Sequence, residues 1–366
     1  MSSTKFRETF STWDRGLLVA ALLLALMSVV SMFSAGSTVS RSLPVRHAVW
    51  AAIGAALFVG VAQTSYRRWM DLAIVAYSAT LAALLIVPLA GAMRLGATRW
   101  LSLFGFSVQP SELAKLSTVW LLARYLAGQP APLTGRVLAN SLLLVGPPAA
   151  LIFLQPDLGS ASIFGAIWLA MVWVAGASRR TLLGLGAVCL ALVPIGWHAL
   201  KAYQRTRLMA FLDPYADPLG AGFSIIQSTI AIGSGQWWGR GWRAGTQSRL
   251  NFLPERHSDF IFAAIGEEWG LIGGVLTLVL FAVVVTRAIR IAQRSVDPQA
   301  VLAATGIAVW LGYQSVVNMG MVMGLLPIVG VPLPLVSYGG SSMVMVWIAI
   351  GLLQNIHSAS RNEYTK

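Results

Sequence analysis

The chain has 366 residues, of which 57% are hydrophobic and only 11% charged, and its mean hydropathy is +0.71. Soluble domains carry about 25% charged residues, so an ordinary water-soluble fold is excluded. Lys and Arg number 26 against 13 Asp and Glu, yet sparse charges flanking apolar runs are topology signals and lipid-headgroup contacts, which argues against a nucleic-acid partner. The one cysteine, Cys189, lies in an apolar run and leaves no internal disulfide and no cysteine-based metal centre.

Runs long enough to cross about 30 Å of hydrocarbon fall at Gly16 to Ala35, Ala48 to Gln63, Leu72 to Met93, Glu112 to Leu126 and Leu138 to Leu154. Five more follow at Ser160 to Ser178, Thr181 to Leu200, Phe260 to Thr286, Ala300 to Gly324 and Ser341 to His357. The expected fold is an all-α polytopic membrane protein with about ten transmembrane helices, forming one membrane domain over residues 1–366. The first run follows Lys5, Arg7 and Arg15 and mimics a signal peptide, but the spans that follow make it an uncleaved anchor. With the N-terminus inside, Arg67, Arg68, Arg124, Arg136, Arg179, Arg180, Arg287, Arg290 and Arg294 fall in cytoplasmic segments, whereas the short outside loops hold Arg41, Arg46, Arg94 and Arg99. The bias places both termini in the cytoplasm. It also makes residues 201–259, between the seventh and eighth spans, a long extracytoplasmic loop. Long ordered loops are usually functional. Within it, Phe223 to Ile232 fits an interfacial or re-entrant helix, and Trp237, Trp238 and Trp242 fit an interfacial belt or a sugar-stacking surface.

Carboxylates at membrane depth or at its edge are costly and point to function. Those here are Glu112, Asp157, Asp259, Glu267 and Glu268. Glu112 and Lys115 share a helix face and are expected to pair, either for folding or for function. Asp157, in Gln155-Pro-Asp-Leu-Gly159, is a helix cap or a site residue. Glu267 and Glu268, a turn or two inside the eighth span, favour a structural role. Asp259 closes the basic loop where that span begins. It is either an N-cap or a general base for a membrane-borne substrate with an anionic leaving group. His47, His198, His257 and His357 show no metal-ligand spacing.

At Asp259 the chain resembles the SEDS family of polytopic membrane proteins, in its rod-shape rather than its division branch. The resemblance covers nearly the whole chain. It rests on Arg99-Trp100, Gln109-Pro-Ser-Glu-Leu-Ala-Lys115, Gln155-Pro-Asp-Leu-Gly159, Tyr203-Gln-Arg-Thr-Arg207, Asp217-Pro-Leu-Gly-Ala-Gly222, Gln227-Ser228, Phe252-Leu-Pro-Glu-Arg-His-Ser-Asp-Phe260 and Gly330-Val-Pro-Leu-Pro-Leu-Val-Ser-Tyr-Gly-Gly-Ser341, in that order. Ser258 stands where Thr is commoner and Trp237-Trp238 where smaller residues are commoner.

The resemblance implies a peptidoglycan glycosyltransferase that polymerises lipid II during cell elongation, on the outer face of the cytoplasmic (inner) membrane. It implies a class B penicillin-binding protein as cross-linking partner, with lipid II, the growing glycan strand, the elongation machinery and membrane lipids as further partners. The essential carboxylate falls on Asp259. Supporting or substrate-binding positions fall on Glu112, Lys115, Arg99, Arg205, Arg207, Asp157, Gln227, Ser228 and Ser337. No cofactor is fixed, and a divalent cation, Mg or Mn, is an expected option at the pyrophosphate. From the residues alone, Arg205, Arg207, Arg240 and Arg243 are equally available for that charge, and the Leu325 to Gly340 segment is one lip of a laterally open cavity or a plain connector. A lipid II flippase is the alternative function and a scaffold for the cross-linking partner the third.

Overall fold

The structure, a computed structural model, describes residues 12–37, 40–94, 97–103, 106–250, 252–253 and 255–364. Its first half comprises α1 (Arg15–Ala35), α2 (Leu43–Gln63), the short α3 (Tyr66–Asp71), α4 (Ala73–Ala90), α5 (Pro110–Ala127), α6 (Gly135–Leu154), α7 (Leu158–Val174) and α8 (Arg179–Ala199). The second half holds α9 (Ala202–Leu212), α10 (Phe223–Gly235), α11 (Thr246–Arg249), α12 (Ile261–Arg294), α13 (Pro298–Val322) and α14 (Gly340–Tyr364). Each of the ten apolar runs lies on a helix. Seven described helices, α1, α2, α6, α8, α12, α13 and α14, are long and apolar enough to cross a membrane, while α4 and α7 are shorter apolar helices. The chain is a polytopic helical membrane protein.

Helix starts follow local chemistry. Side-chain oxygens of Asp14, Thr134, Asp157, Ser178 and Asp297 each accept from a backbone N–H in the first turn of the helix that follows, satisfying donors that a helix cannot pair itself. α13 lies at the centre, against α5, α7 and α12. Around it, α2 packs on α14, α1 on α12, α4 on α5 and α6 on α7. In contrast, no residue in the apolar window of α8 is buried.

The helical fold class holds, with local differences. A small three-stranded antiparallel sheet lies between α4 and α5: β1 (Ala92–Arg94), β2 (Ala97–Leu103) and β3 (Phe106–Val108), in that order. The third run is expected to reach Met93, but α4 stops at Ala90 because Gly91 turns extended (φ −74°, ψ 148°) just after Pro88. Strands this short leave little trace in hydropathy averaged over a span-length window. In the other direction, α12 continues past Thr286 to Arg294, two turns beyond its apolar run.

At the end bearing Asp14, polar side chains stitch the helices together. Asp14 N–H donates to Gln354 Oε1 at 2.7 Å, Gln354 Nε2 returns a bond to Asp14 O at 2.9 Å, and Tyr66 OH donates to Asp297 Oδ2 at 2.7 Å.

The described residues of the 201–259 segment form three helices and a short 3₁₀ turn. α9 leads to a 3₁₀ turn at Pro214–Ala216, and the expected interfacial helix is α10, packed along α12. α12 kinks at Gly270, whose φ of 65° and ψ of −158° interrupt the helix; only glycine adopts that backbone readily. The freed N–H groups are taken by the loop after α10: Leu271 N–H donates to Gln236 O at 2.8 Å and Ile272 N–H to Trp237 O at 3.4 Å. One turn earlier, buried Glu267 accepts from Gln247 N–H (2.8 Å), Ser248 N–H (3.0 Å), Ser248 Oγ (2.7 Å) and Thr246 Oγ1 (3.4 Å). Its neighbour Glu268 accepts from Ser34 on α1. The two glutamates therefore tie α11 and α1 to α12. Replacing Glu267 by Gln places an NH₂ against donors, and hydrogen bonds to a charged group contribute about 1.5–3 kcal/mol each. Glu267→Gln is expected to lower stability by about 2–4 kcal/mol, read as a lower unfolding midpoint of the detergent-solubilised protein, whereas the exposed Asp71→Asn leaves it unchanged.

Candidate functional site

Asp259 lies in a tight turn, residues 255–260, that delivers the chain into α12. Ser258 N–H and Phe260 N–H both donate to Glu255 O, at 3.0 and 3.2 Å, and Ser258 Oγ donates to Glu255 Oε2 at 3.0 Å. The N-cap position of α12 is Phe260, with no side-chain cap. Asp259 is thus not the cap that its place in sequence also allowed. Asp259 is half-buried as a residue, and no described residue donates a hydrogen bond to its carboxylate. Burial first, and then the negative charges of Glu255 and Asp157, raise its pKa to about 7 against the opposing pull of Arg99 and Arg207. Desolvation likewise holds the imidazole of His257 below its usual value.

The wall facing this carboxylate is the connector between α13 and α14. Gly330 takes φ 68°, and a Cβ built there would sit 3.3 Å from Asp259 Oδ2. A side chain would strain the backbone and crowd the Asp259 carboxylate. Ser337, buried, donates from Oγ to Ser258 O at 2.6 Å and accepts from Leu333 N–H at 2.7 Å. Tyr338 N–H donates to His257 O at 2.8 Å. Of the two readings open for residues 325–340, the structure gives the connector a place against the candidate base.

Arg99 reaches the site from β2. Its Nε donates to Gln155 O at 3.1 Å, its Nη2 donates to Pro156 O, and its Nη1 lies 3.7 Å from Asp157 Oδ2. Asp157 does two jobs: its Oδ1 also accepts from Ser160 N–H at 3.1 Å, capping α7. The guanidinium is thereby fixed before any ligand arrives. Arg207, on α9, is exposed and sits over the Tyr203 ring at 5.8 Å, and the Tyr203 hydroxyl donates to Pro156 O at 3.1 Å. Arg99 and Arg207 are the two cations whose charge acts on Asp259.

Other arginines are engaged elsewhere. Arg205 Nη2 donates to His198 O at 2.7 Å, and Arg240 Nε to Ser234 O at 3.3 Å. Arg243 Nη2 donates to Phe33 O at 2.9 Å with its guanidinium over Trp242. Trp237 and Trp238 are exposed beside the Gly270 kink, nine residues and so about 13 Å along α12 from its start, away from Asp259. Ser228 is buried and bonds within α10, to Ile225 O at 3.0 Å, while Gln227 is partly exposed on the same helix. An apolar cavity of 590 Å³ runs between α10 and α12, lined by Ile232, Phe262, Gly266, Gly270, Gly274 and Met323 among others. Phe262 brings it within one helical turn of Asp259.

Glu112 and Lys115 are fully buried on α5 and paired at 2.6 Å. Lys115 Nζ also donates to Gln314 Oε1 at 2.9 Å and lies 5.1 Å from the Trp310 ring. Gln314 Nε2 in turn donates to Pro332 O at 2.8 Å. The pair therefore supports the connector from behind and does not face Asp259 directly. Glu255, Gln314, Asn318 and Gly330 were not singled out from the sequence as site residues. Gln314 and Asn318 carried a usable signal, two amides four residues apart inside an apolar span. Among the described residues no group of three or more His, Cys, Asp and Glu could hold a metal ion.

With the geometry in place, the comparisons converge. The FTSW_RODA_SPOVE family, described as cell cycle protein, matches residues 13–362. The peptidoglycan glycosyltransferase MrdB of Escherichia coli (strain K12) is 39% identical over 365 residues, covering 98% of each chain. A structure described as the structural coordination of polymerization and crosslinking by a peptidoglycan synthase complex matches with a TM-score of 0.82 and 35% identity, over 97% of this chain and 99% of that one. The rod shape determining protein RodA of Thermus thermophilus matches with a TM-score of 0.71 and 30% identity, over 97% and 98%. Over essentially its whole length, the chain belongs to the FtsW, RodA and SpoVE family of cell cycle proteins, the SEDS family.

Proposed function

We propose that this protein is a peptidoglycan glycosyltransferase that polymerises lipid II into glycan strands, with Asp259 as general base. The observation that carries the chemistry is a carboxylate at the rim of the bundle that no described residue neutralises by a hydrogen bond, with Arg99 and Arg207 close enough for their charge to act on it. The enzyme class is supported by the curated relative's name and the near-complete coverage of both chains.

In the proposed step the 4-hydroxyl of one sugar attacks the anomeric carbon of another that carries a lipid pyrophosphate. The hydroxyl proton passes to Asp259 as the new C–O bond forms. The bond to pyrophosphate breaks with inversion, and the leaving group departs with the electron pair as an anion. A base whose pKa lies near the working pH is both ionised and able to take a proton. Arg99, held by two carbonyls and Asp157, is preorganised beside the developing charge, while Arg207 is exposed and able to reach a phosphate. A divalent cation, Mg or Mn, at the pyrophosphate would take phosphate oxygens and water for most of its coordination, since no group of three or more His, Cys, Asp and Glu among the described residues forms a ready-made metal site. The apolar cavity between α10 and α12 suits a polyprenyl tail, so that the headgroup meets Asp259 while the lipid stays in the membrane.

The basic residues at the α1 end favour a cytoplasmic location for both termini and an extracytoplasmic location for Asp259. The host membrane is then the inner membrane, and the context is cell elongation. The match to a synthase complex supports a cross-linking partner, a class B penicillin-binding protein.

Purified protein with that partner is expected to give long glycan from labelled lipid II on a gel, and Asp259→Asn, of equal size but unable to accept the proton, no polymer. Polymer from a well-folded Asp259→Asn assigns the base elsewhere, and no polymer from the parent with an active partner favours a flippase. The pH dependence follows from the raised pKa. Below about 7 Asp259 is protonated and cannot act as base, so kcat/KM is expected to fall about tenfold per unit as pH drops below 6 and to level off above 8.

A further inference from the structure

Asn318 and Gln314 are fully buried on α13, four residues apart and therefore on one face. They grip successive carbonyls of the connector: Asn318 Nδ2 donates to Val331 O at 2.6 Å and Gln314 Nε2 to Pro332 O at 2.8 Å. The second donor of the Asn318 amide goes to the backbone carbonyl of Asp259 at 2.9 Å. Both N–H groups of one amide are thus spent on two carbonyls, one beside Gly330 and the other on the base itself. The carbonyl oxygen of Asn318 is buried with no partner. This residue is placed for its donors, since an ordinary structural asparagine in a dry site would satisfy its acceptor too.

Gln314 fixes the other end of the contact. Its Oε1 accepts from Lys115 Nζ and from Trp310 Nε1, at 2.9 and 2.7 Å, which sets the amide orientation and leaves Nε2 for Pro332. A continuous chain therefore runs from the Glu112–Lys115 pair through Gln314 to residues 331 and 332, and from there through Asn318 to Asp259.

The geometry points to Asn318 as a positioning residue for the general base: its amide fastens the backbone of Asp259 to the connector and so fixes where the carboxylate stands relative to Gly330 and the acceptor hydroxyl. This inference rests on the glycosyltransferase reading and deepens it. Asp259 has no side-chain hydrogen bond to hold it, so its position is set by its backbone. Groups misplaced by about 1 Å can lose about 100-fold in rate.

The test compares Asn318→Leu, similar in size but without donors, and Asn318→Ser, which keeps one donor, in lipid II polymerisation across pH. Ser315→Ala serves as a control on the same helix, because among the described residues the Ser315 hydroxyl bonds only to Leu311 O. For Asn318→Leu, kcat is expected to fall about 10- to 100-fold with KM changed by less than about threefold, because the residue touches no substrate. The acidic limb is expected to move down by about half a pH unit or more, as the released carboxylate gains solvent and leaves Glu255 and Asp157. Asn318→Ser is expected to be intermediate and Ser315→Ala unchanged. A loss of folded protein that scales activity down without moving the limb, or failure of both Asn318 variants to fold, assigns the residue to folding and overturns the inference. Unchanged kcat and limb in folded Asn318→Leu overturn it as well. If the parent makes no polymer the glycosyltransferase reading itself fails, which is a separate result.

Discussion

Non-helical backbone inside a membrane protein must find its hydrogen-bond partners within the protein, because lipid offers none. The connector between α13 and α14 meets this demand with side chains from two directions. Asn318 and Gln314 take the carbonyls of Val331 and Pro332, Ser337 takes the N–H of Leu333, and the carbonyl of His257 takes the N–H of Tyr338. Each partner comes from α13, from the turn before α12, or from the connector itself. Solving the connector's backbone problem thereby assembles the wall of the site, and the turn carrying Asp259 is held by the same bonds.

The placement of charge follows a similar economy. Buried carboxylates away from the site are matched with donors: Asp14 with Leu17 N–H and Arg287, Asp157 with Ser160 N–H and Arg99, Glu112 with Lys115, and Glu267 with the first turn of α11. Each of these carboxylates has at least one oxygen engaged by a donor or a cation. Asp259 keeps its lone pairs free in a partly desolvated place, with positive charge near but not bonded to it. For that carboxylate the fold supplies position without neutralisation, which is the condition the proposed general base requires.

Much of this was legible in the sequence, and the reasons differ by element. Apolar runs of span length mark helices wherever they occur, so each of the ten runs coincides with one. Carboxylates are so scarce in this chain that Asp259, Asp157 and Glu112 stand out on cost alone. The sheet at β1–β3 was missed because its strands are shorter than any span-length window, and Arg99 could not be tied to Asp157 without knowing that β2 folds back over the Gln155–Asp157 turn. Ranking the arginines also required three dimensions. Arg243 and Arg240 share a loop with exposed tryptophans in sequence, but the loop wraps the α12 kink and takes them elsewhere. Asn318 was overlooked because an amide in an apolar run carries no charge, although its buried donors demand partners as surely as an ion does.

One helix leans little on its neighbours: beyond a Ser178 cap and the partial packing of Leu182 and Leu185, it faces outward. α8 buries no side chain in its apolar window, and residues such as Leu183 and Leu190 remain about three-quarters exposed. Such a segment is selected by the solvent it dissolves in and hardly at all by neighbours. Over evolutionary time its residues should interchange freely among leucine, valine, isoleucine and alanine, while its length stays pinned to bilayer thickness. Its sequence would then record the membrane more faithfully than it records the protein.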